Sequence, residues 1–199
     1  MSDDRELVER LQAGDLKAFE LLVRLHHRAV YNVVYQLMGD HAATDDVVQD
    51  AFMKALRAID SFRGDSSFKS WVVRIALNTG KNALRSSGRA QMVEIDEREH
   101  KVGAEALRGM EQLETSDLLR KAIENLPPKQ RMALELRIFE SLSFKEIADA
   151  MECPFDTAKA NFRHAILNLK KMFEDNVHGM NIEELKLAFA SMGEHDHDV

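Results

Sequence analysis

The sequence has one cysteine, three prolines and nine glycines in 199 residues. A lone Cys153 excludes an internal disulfide and any zinc site built from several cysteines. So little proline and glycine argues against a disordered or loop-rich chain. Strand signals are weak, since no run of alternating β-branched residues lasts beyond a few positions. No apolar run reaches the ~18 residues of a membrane helix, and the first residues are acidic and polar. A soluble, cytoplasmic chain without membrane insertion is expected. His-Glu-x-x-His, paired Glu-x-x-His, a glycine-rich phosphate loop and a nucleophile elbow are all missing. No catalytic residue, metal site or cofactor is therefore assigned, and an enzyme is not expected. The net charge of -7 excludes a uniformly basic coat. Local basic patches remain open, because screening confines charge effects to about 10 Å.

What is present is helical. The chain is 45% hydrophobic and 31% charged, with abundant Ala, Leu, Glu, Lys and Met. Residues 4–12 place Leu7, Val8 and Leu11 on one side. Gly14-Asp15 ends that helix and caps the next. From Leu16 to Met38, Phe19, Leu22, Val23, Val30, Val33, Val34 and Leu37 mark a long amphipathic helix. Gly39-Asp40 breaks it. Helices are then expected over Asp45–Leu56 and Phe68–Leu84, and the four together can share one core.

The stretch Asp45 to Arg89 organises the chain. Val47, Val48, Ala51, Phe52, Ala55, Leu56 and Ile59 form one apolar stripe on a helix that opens with Asp45, Asp46 and Asp50. Phe62-Arg63-Gly64-Asp65-Ser66-Ser67 breaks it and offers two N-cap serines. The next helix turns Trp71, Val72, Ile75, Ala76 and Leu77 inward. From Phe62 onward Arg63, Lys69, Arg74, Lys81, Arg85 and Arg89 face only Asp65 in charge. Basic residues near Phe62, Phe68 and Trp71 suit single-stranded nucleic acid, with charge for phosphates and rings for bases. The same pattern fits aromatics in a core beneath a solvated face.

Between Ser86 and about Glu114 the apolar pattern dissolves into acids and glycines, as in a flexible linker. Its acidity suits either a solvated tether or a nucleic-acid mimic. Beyond it, Leu118, Leu119, Ala122, Ile123 and Leu126 mark a helix closed by Pro127-Pro128. Met132, Ala133, Leu136 and Phe139 mark another. Ser143-x-x-Glu146 is a capping box before Ile147, Ala148 and Met151. Glu152-Cys153-Pro154 is a turn, with Pro154 expected at a first helical position. A last helix is expected from Phe155 to Phe173. Two helices joined by so short a turn are a helix-turn-helix, whose second helix lies in the major groove. From Thr157 to Met172 that helix carries Lys159, Arg163, Lys170 and Lys171 and no acid. Ala158, Phe162, Ile166 and Leu169 face its core, while Lys159, Asn161, Arg163 and His164 point elsewhere. Asn and Arg can each bond a base edge through two hydrogen bonds.

Two stretches resemble one family. Asp45-Asp46-Val47-Val48-Gln49-Asp50-Ala51-Phe52, followed by Asp60 to Trp71, resembles region 2 of extracytoplasmic-function sigma factors. Leu126 to Arg131, Leu142 to Ala148 and Cys153 to Lys159 resemble region 4. The likeness spans about residues 5–87 and 116–173 and is nearest to the envelope-stress group. It implies an all-α fold of two helical domains: residues 1–87 as a region 2 four-helix bundle and 116–175 as a region 4 helix-turn-helix. Residues 88–115 would be an acidic linker and 176–199 a C-terminal extension.

The resemblance also implies roles. Such a factor joins bacterial core RNA polymerase, through the β′ clamp helices and the β flap. It recognises promoter DNA, helps melt it, and is held by an anti-sigma factor. Asp45, Asp46, Gln49 and Asp50 would dock on polymerase. Phe62, Ser66, Ser67 and Phe68 would hold a flipped −10 base, beside Arg74, Asn78, Lys81 and Arg85. Thr157, Lys159, Asn161, Arg163 and His164 would read the −35 element. Trp71 could be core or touch DNA. Where the family often reads Gly-Thr-Val-Lys-Ser-Arg, this chain has Asp156 to Asn161, so the −35 sequence does not follow from the likeness. A stand-alone helix-turn-helix regulator is the alternative, but it has no need of the Asp45–Trp71 stretch.

The tail from Asn181 to Met192 has an apolar stripe of Ile182, Leu185, Phe189 and Met192. It could pack on the second domain, or its acids could shield the basic recognition helix. The closing Glu194-His195-Asp196-His197-Asp198 is expected to be a frayed terminus rather than a metal site.

Overall fold

The computed structural model describes residues 3–87 and 115–176. The expected linker from 88 to 114 and the tail from 177 onward lie outside these residues, including the apolar stripe and the terminal histidines. Thr115, expected to end the linker, opens a helix instead. Among the described residues every regular element is helical: α1 Asp3–Gln12, α2 Leu16–Met38, α3 His41–Arg57, α4 Phe68–Ser86, α5 Thr115–Glu124, α6 Pro128–Ile138, α7 Phe144–Met151 and α8 Phe155–Asn176. A short 3-10 turn spans Ile59–Ser61.

The chain divides into two compact units. Among the described residues the first comprises 3–87 and 142–155, the second 115–141 and 156–176. Residues 142–155, which the sequence assigns to the second domain, thus fall with the first.

In the first unit the helix ends follow from local chemistry. Asp15 accepts from the Lys17 N–H at 3.0 Å and so caps α2. A hydrogen bond from Arg10, 2.8 Å away, holds the Asp15 carboxyl below its usual range. Gly39, left-handed at φ 66°, ends α2 by donating to the Tyr35 carbonyl at 2.8 Å. Asp40 then caps α3 through the Ala43 N–H at 2.8 Å. Helix α3 therefore begins at His41, four residues before the expected start at Asp45. The short polar side chain that looked like part of a break is its cap.

The core of this unit lies between α2, α3 and α4, with α1 laid against α2. Leu22, Val30 and Val34 of α2, Ala51 of α3, and Val72, Val73 and Ala76 of α4 have essentially no exposed surface. Each larger side chain so buried contributes roughly 1.5–3 kcal/mol. A Cβ placed on Gly80 of α4 would lie 2.7 Å from Cδ2 of Leu37 on α2, so the glycine permits the close helix approach. Several interior positions escaped the apolar pattern, Thr44, Ser70, Val73 and Thr79 among them. Ala18 is fully buried, and so is most of His26, whose Nε2 lies 3.1 Å from Asp4 on α1. Burial lowers the His26 pKa, against the pull of Asp4.

In the second unit α5 supplies Leu118, Leu119, Ala122 and Ile123, and the turn after it Leu126, to a core with Leu134 of α6 and Ala165, Leu169, Met172 and Phe173 of α8. Pro128 takes the first position of α6, where its missing N–H has no partner to lose. Phe139, expected with the inward positions of α6, lies at its end and is exposed, while Leu134 takes the interior place. Helix α8 starts at Phe155, so Pro154 precedes the helix rather than opening it, and the helix runs to Asn176.

Glu135 of α6 is buried, and burial raises its carboxyl pKa from 4.5 to about 8, with Arg131 opposing and Glu140 adding to the rise. The folded chain then retains a proton that the unfolded chain loses above about pH 4.5. Stability from this unit should fall as pH rises through the window from 4.5 to about 8. Glu135→Gln should flatten that fall, by on the order of a few kcal/mol at most. Denaturant titrations of both proteins across this range test it; parallel curves would show that Glu135 does not carry the dependence.

Candidate nucleic-acid interface

Helix α3 presents its acids away from the core. Val47, Val48 and Ala51 are buried, whereas Asp45, Asp46, Gln49 and Asp50 are all exposed along the opposite side. Asp50 is not isolated: it pairs with Lys54 at 2.8 Å, and Lys54 also donates to Oγ1 of Thr79 on α4 at 3.1 Å. Asp50 thus belongs to a polar strut between two helices, and Asp46 and Gln49 are the simpler surface positions.

The segment after α3 is held from a distance. The Gln12 amide donates to the carbonyls of Ile59 and Phe62, at 3.0 and 3.1 Å. Gly64 turns the chain in the left-handed region at φ 75°. Ser67, not Ser66, caps α4, accepting from the Ser70 N–H at 3.1 Å. Ser66 is half-buried and Ser67 exposed. The rings of Phe62, Phe68 and Trp71 form a mutual cluster with centroids 4.9–6.1 Å apart. His26 adds a fourth ring, 5.7 Å from Phe68. Phe68 is only 2% exposed and Trp71 9%, so both are core rings. Phe68, expected to line a base pocket, lies beneath the loop, and Phe62, half-buried, is the ring nearest its surface.

Along α4, Arg74, Asn78, Lys81 and Arg85 recur at helical spacing on one side. Arg74 and Arg85 are exposed, Asn78 and Lys81 half-buried. On α8, Thr157, Lys159, Arg163 and His164 are exposed and Asn161 is half-buried, while Ala158 is wholly buried beneath them.

Sequence reasoning missed three residues here. Gln12 gives no signal, because nothing in its neighbourhood names distant carbonyls as partners. Glu152 reads only as a turn residue. It ends α7 in the left-handed region at φ 55°. Glu146 was legible, but only as half of a capping box. That box is formed: the Ser143 hydroxyl accepts from the Glu146 N–H, and Glu146 accepts from the Ser143 N–H at 2.9 Å.

Among the described residues no three His, Cys, Asp or Glu side chains converge as a metal site. None of the described helices is long and apolar enough to cross a membrane.

Residues 22–90 match the family model for Sigma-70 region 2, and residues 116–169 match that for Sigma-70, region 4. The chain is 42% identical over 174 residues to the ECF RNA polymerase sigma-E factor of Escherichia coli K12, covering 81% of this chain and 90% of that protein. The chain belongs to the extracytoplasmic-function sigma factors. It is also 39% identical over 172 residues to the RNA polymerase sigma-H factor of Pseudomonas aeruginosa, covering 81% of this chain and 89% of the relative. Among solved structures it resembles RpoE of Bartonella quintana in complex with the anti-sigma factor NepR, at 25% identity and TM-score 0.59, over 79% of this chain and 98% of that one. It shares its fold with CnrH, solved with the cytosolic domain of CnrY, at 23% identity and TM-score 0.60, over 86% and 97% of the two chains. As a sigma factor it is a promoter-specificity subunit for RNA polymerase, neither a stand-alone regulator nor an enzyme.

Replacing Gln12 by Ala leaves the Ile59 and Phe62 carbonyls without this donor. The sigma factor should lose about 1–2 kcal/mol of stability, with faster amide exchange through residues 60–67. Unchanged exchange there would show that the loop is positioned without Gln12.

Proposed function

We propose that residues 1–87 act as region 2, engaging core polymerase and the −10 element, and residues 116–175 as region 4, engaging the −35 element. Residues 88–115 link the two, and 176–199 extend the second. The observation that carries this reading is that two helices packed against each other expose side chains of opposite charge. The exposed acids of α3 lie on one, and the loop with the basic side of α4 on the other.

Asp45, Asp46, Gln49 and Asp50 dock on the β′ clamp helices, and region 4 approaches the β flap. At the −10 element Phe62, Ser66 and Ser67 face the displaced strand, while Phe68 supports them from below. Flipping a base out costs a few kcal/mol of lost stacking, which a ring and hydroxyls can partly offset. Arg74, Lys81 and Arg85 take phosphates and Asn78 adds a polar contact. In the major groove of the −35 element Thr157, Lys159, Asn161, Arg163 and His164 are the reading residues. The factor works in the cytoplasm with core polymerase and is restrained by an anti-sigma factor, a partner of the kind with which the Bartonella relative was solved.

Asp46→Lys should weaken binding to core polymerase roughly tenfold, about 1.4 kcal/mol, with helicity and stability unchanged. Asp50→Lys is less clean, because it also sets a cation against Lys54. Equal affinity of the wild-type and Asp46→Lys proteins in a core-polymerase titration would remove α3 from the interface.

Exchanging residues 65–67 for those of a related factor, and keeping the buried Phe68, should change −10 preference and leave −35 preference intact. Selection on a promoter library randomised at −10 is the measurement. The same preferred bases for both proteins would remove the loop from readout.

A further inference from the structure

Helix α7 lies against α4 inside the first unit, burying Ile147, Ala148 and Ala150. Two carboxylates accompany it. Glu146 Oε1 accepts from the Ser67 N–H at 3.2 Å and from the Ser67 hydroxyl at 2.8 Å. Its other oxygen accepts from the Ser143 N–H and hydroxyl, at 2.9 and 2.8 Å. One turn and more further on, Glu152 Oε1 accepts from the Asn78 amide at 3.0 Å and Oε2 from Lys81 at 3.2 Å. A cleft of about 770 Å³ runs alongside, lined by Arg74, Ile75, Asn78, Asp149, Glu152 and Cys153 among others.

The donors that these carboxylates occupy are the backbone N–H and hydroxyl at the start of α4, a side-chain amide and an ammonium. That is the donor set that phosphate oxygens use. We infer that the polar side of α4 is a two-point site for anionic oxygens, which α7 fills with Glu146 and Glu152 in the free chain and which promoter DNA must take from it. This rests on the reading of α4 as the −10 surface.

Two further facts fit. Burial of Glu146 alone would raise its pKa, yet the hydrogen bonds from Ser143 and Ser67 outweigh it and bring the carboxyl down to about 2. The hydrogen bond from Lys81 lowers Glu152 in the same sense. The clasp is also incomplete. Asn78 Oδ1 is buried without a hydrogen-bond partner, and the Glu152 side chain is 56% exposed. A half-exposed ion pair contributes little. The Glu152 end of the clasp is therefore weak enough to yield, and its effect on DNA affinity is a few-fold rather than orders of magnitude.

The test uses the whole 199-residue chain. Glu152→Gln keeps the shape of the residue and removes its charge. Binding of fluorescein-labelled single-stranded DNA of random sequence is read by anisotropy at low salt. Glu152→Gln should bind about three- to tenfold more tightly, and the gain should fade as salt rises. Lys81→Gln, made in the Glu152→Gln background, should remove the gain. Independently of DNA, NMR titration of Glu146 should give a pKa near 2. Ser67→Gly, a tolerated N-cap, should raise it. A Glu146 that titrates normally, or ignores Ser67→Gly, overturns the clasp. A clasp seen by NMR with no gain from Glu152→Gln, while Lys81→Gln still weakens DNA binding, overturns the competition. If Lys81→Gln has no effect either, the −10 reading of α4 fails, and the competition fails with it.

Discussion

Burial of one face of α4 is the constraint on which the first unit depends. Val72, Val73 and Ala76 are sealed against α2 and α3. With 3.6 residues per turn, that seal fixes where every other α4 side chain points. Arg74, Asn78, Lys81 and Arg85 are consequently presented as one row, with no freedom for any of them to choose another face. The row is polar because the rest of the helix is spoken for, and it is rigid because the core behind it is.

The same seal explains the ring cluster. Phe68 and Trp71 open α4 and are pulled inward with it, so the aromatic content near the loop serves the core. Phe62 lies outside the helix and is held by Gln12 through backbone carbonyls rather than by packing alone. A loop fixed by its backbone leaves its side chains free to differ between factors while its path stays the same. Across the helix, the Asp50–Lys54–Thr79 strut ties the acidic side of α3 to α4. A change of charge at Asp50 is thereby coupled to the helix that bears the basic row.

Much of this was legible from local pattern. The apolar spacing placed α2, α4 and the core side of α8, and Ser143-x-x-Glu146 marked the start of α7. The start of α3 was not read, because Asp40 follows a glycine and looked like part of a break, although Asp after Gly is also a cap. The depth of Phe68 was not legible: a Phe after two serines reads equally as loop or core, and only tertiary packing decides. His26 and Gln12 were invisible for a related reason. Their partners, Asp4 on one side and the Ile59 and Phe62 carbonyls on the other, are far away in the chain, and periodicity carries no long-range information. The acids of α3 and the base-bearing faces of α4 and α8 were visible as charge patterns. That Glu146 and Glu152 also reach α4 was not, since a capping residue and a turn residue each already had a sufficient local reason to be there.

Gly80 gives the unit an uneven tolerance for change. At the α2–α4 crossing the backbone of α4 is a Cβ away from Leu37, so a larger residue must either bend that leucine aside or part the helices. Elsewhere in the seam a lost methylene leaves a void that neighbours can partly fill. At Gly80 there is no smaller residue to fall back on, and variation can run only towards excess volume. Any gain in volume at this crossing must therefore be met by a change at position 37, so the two positions vary together.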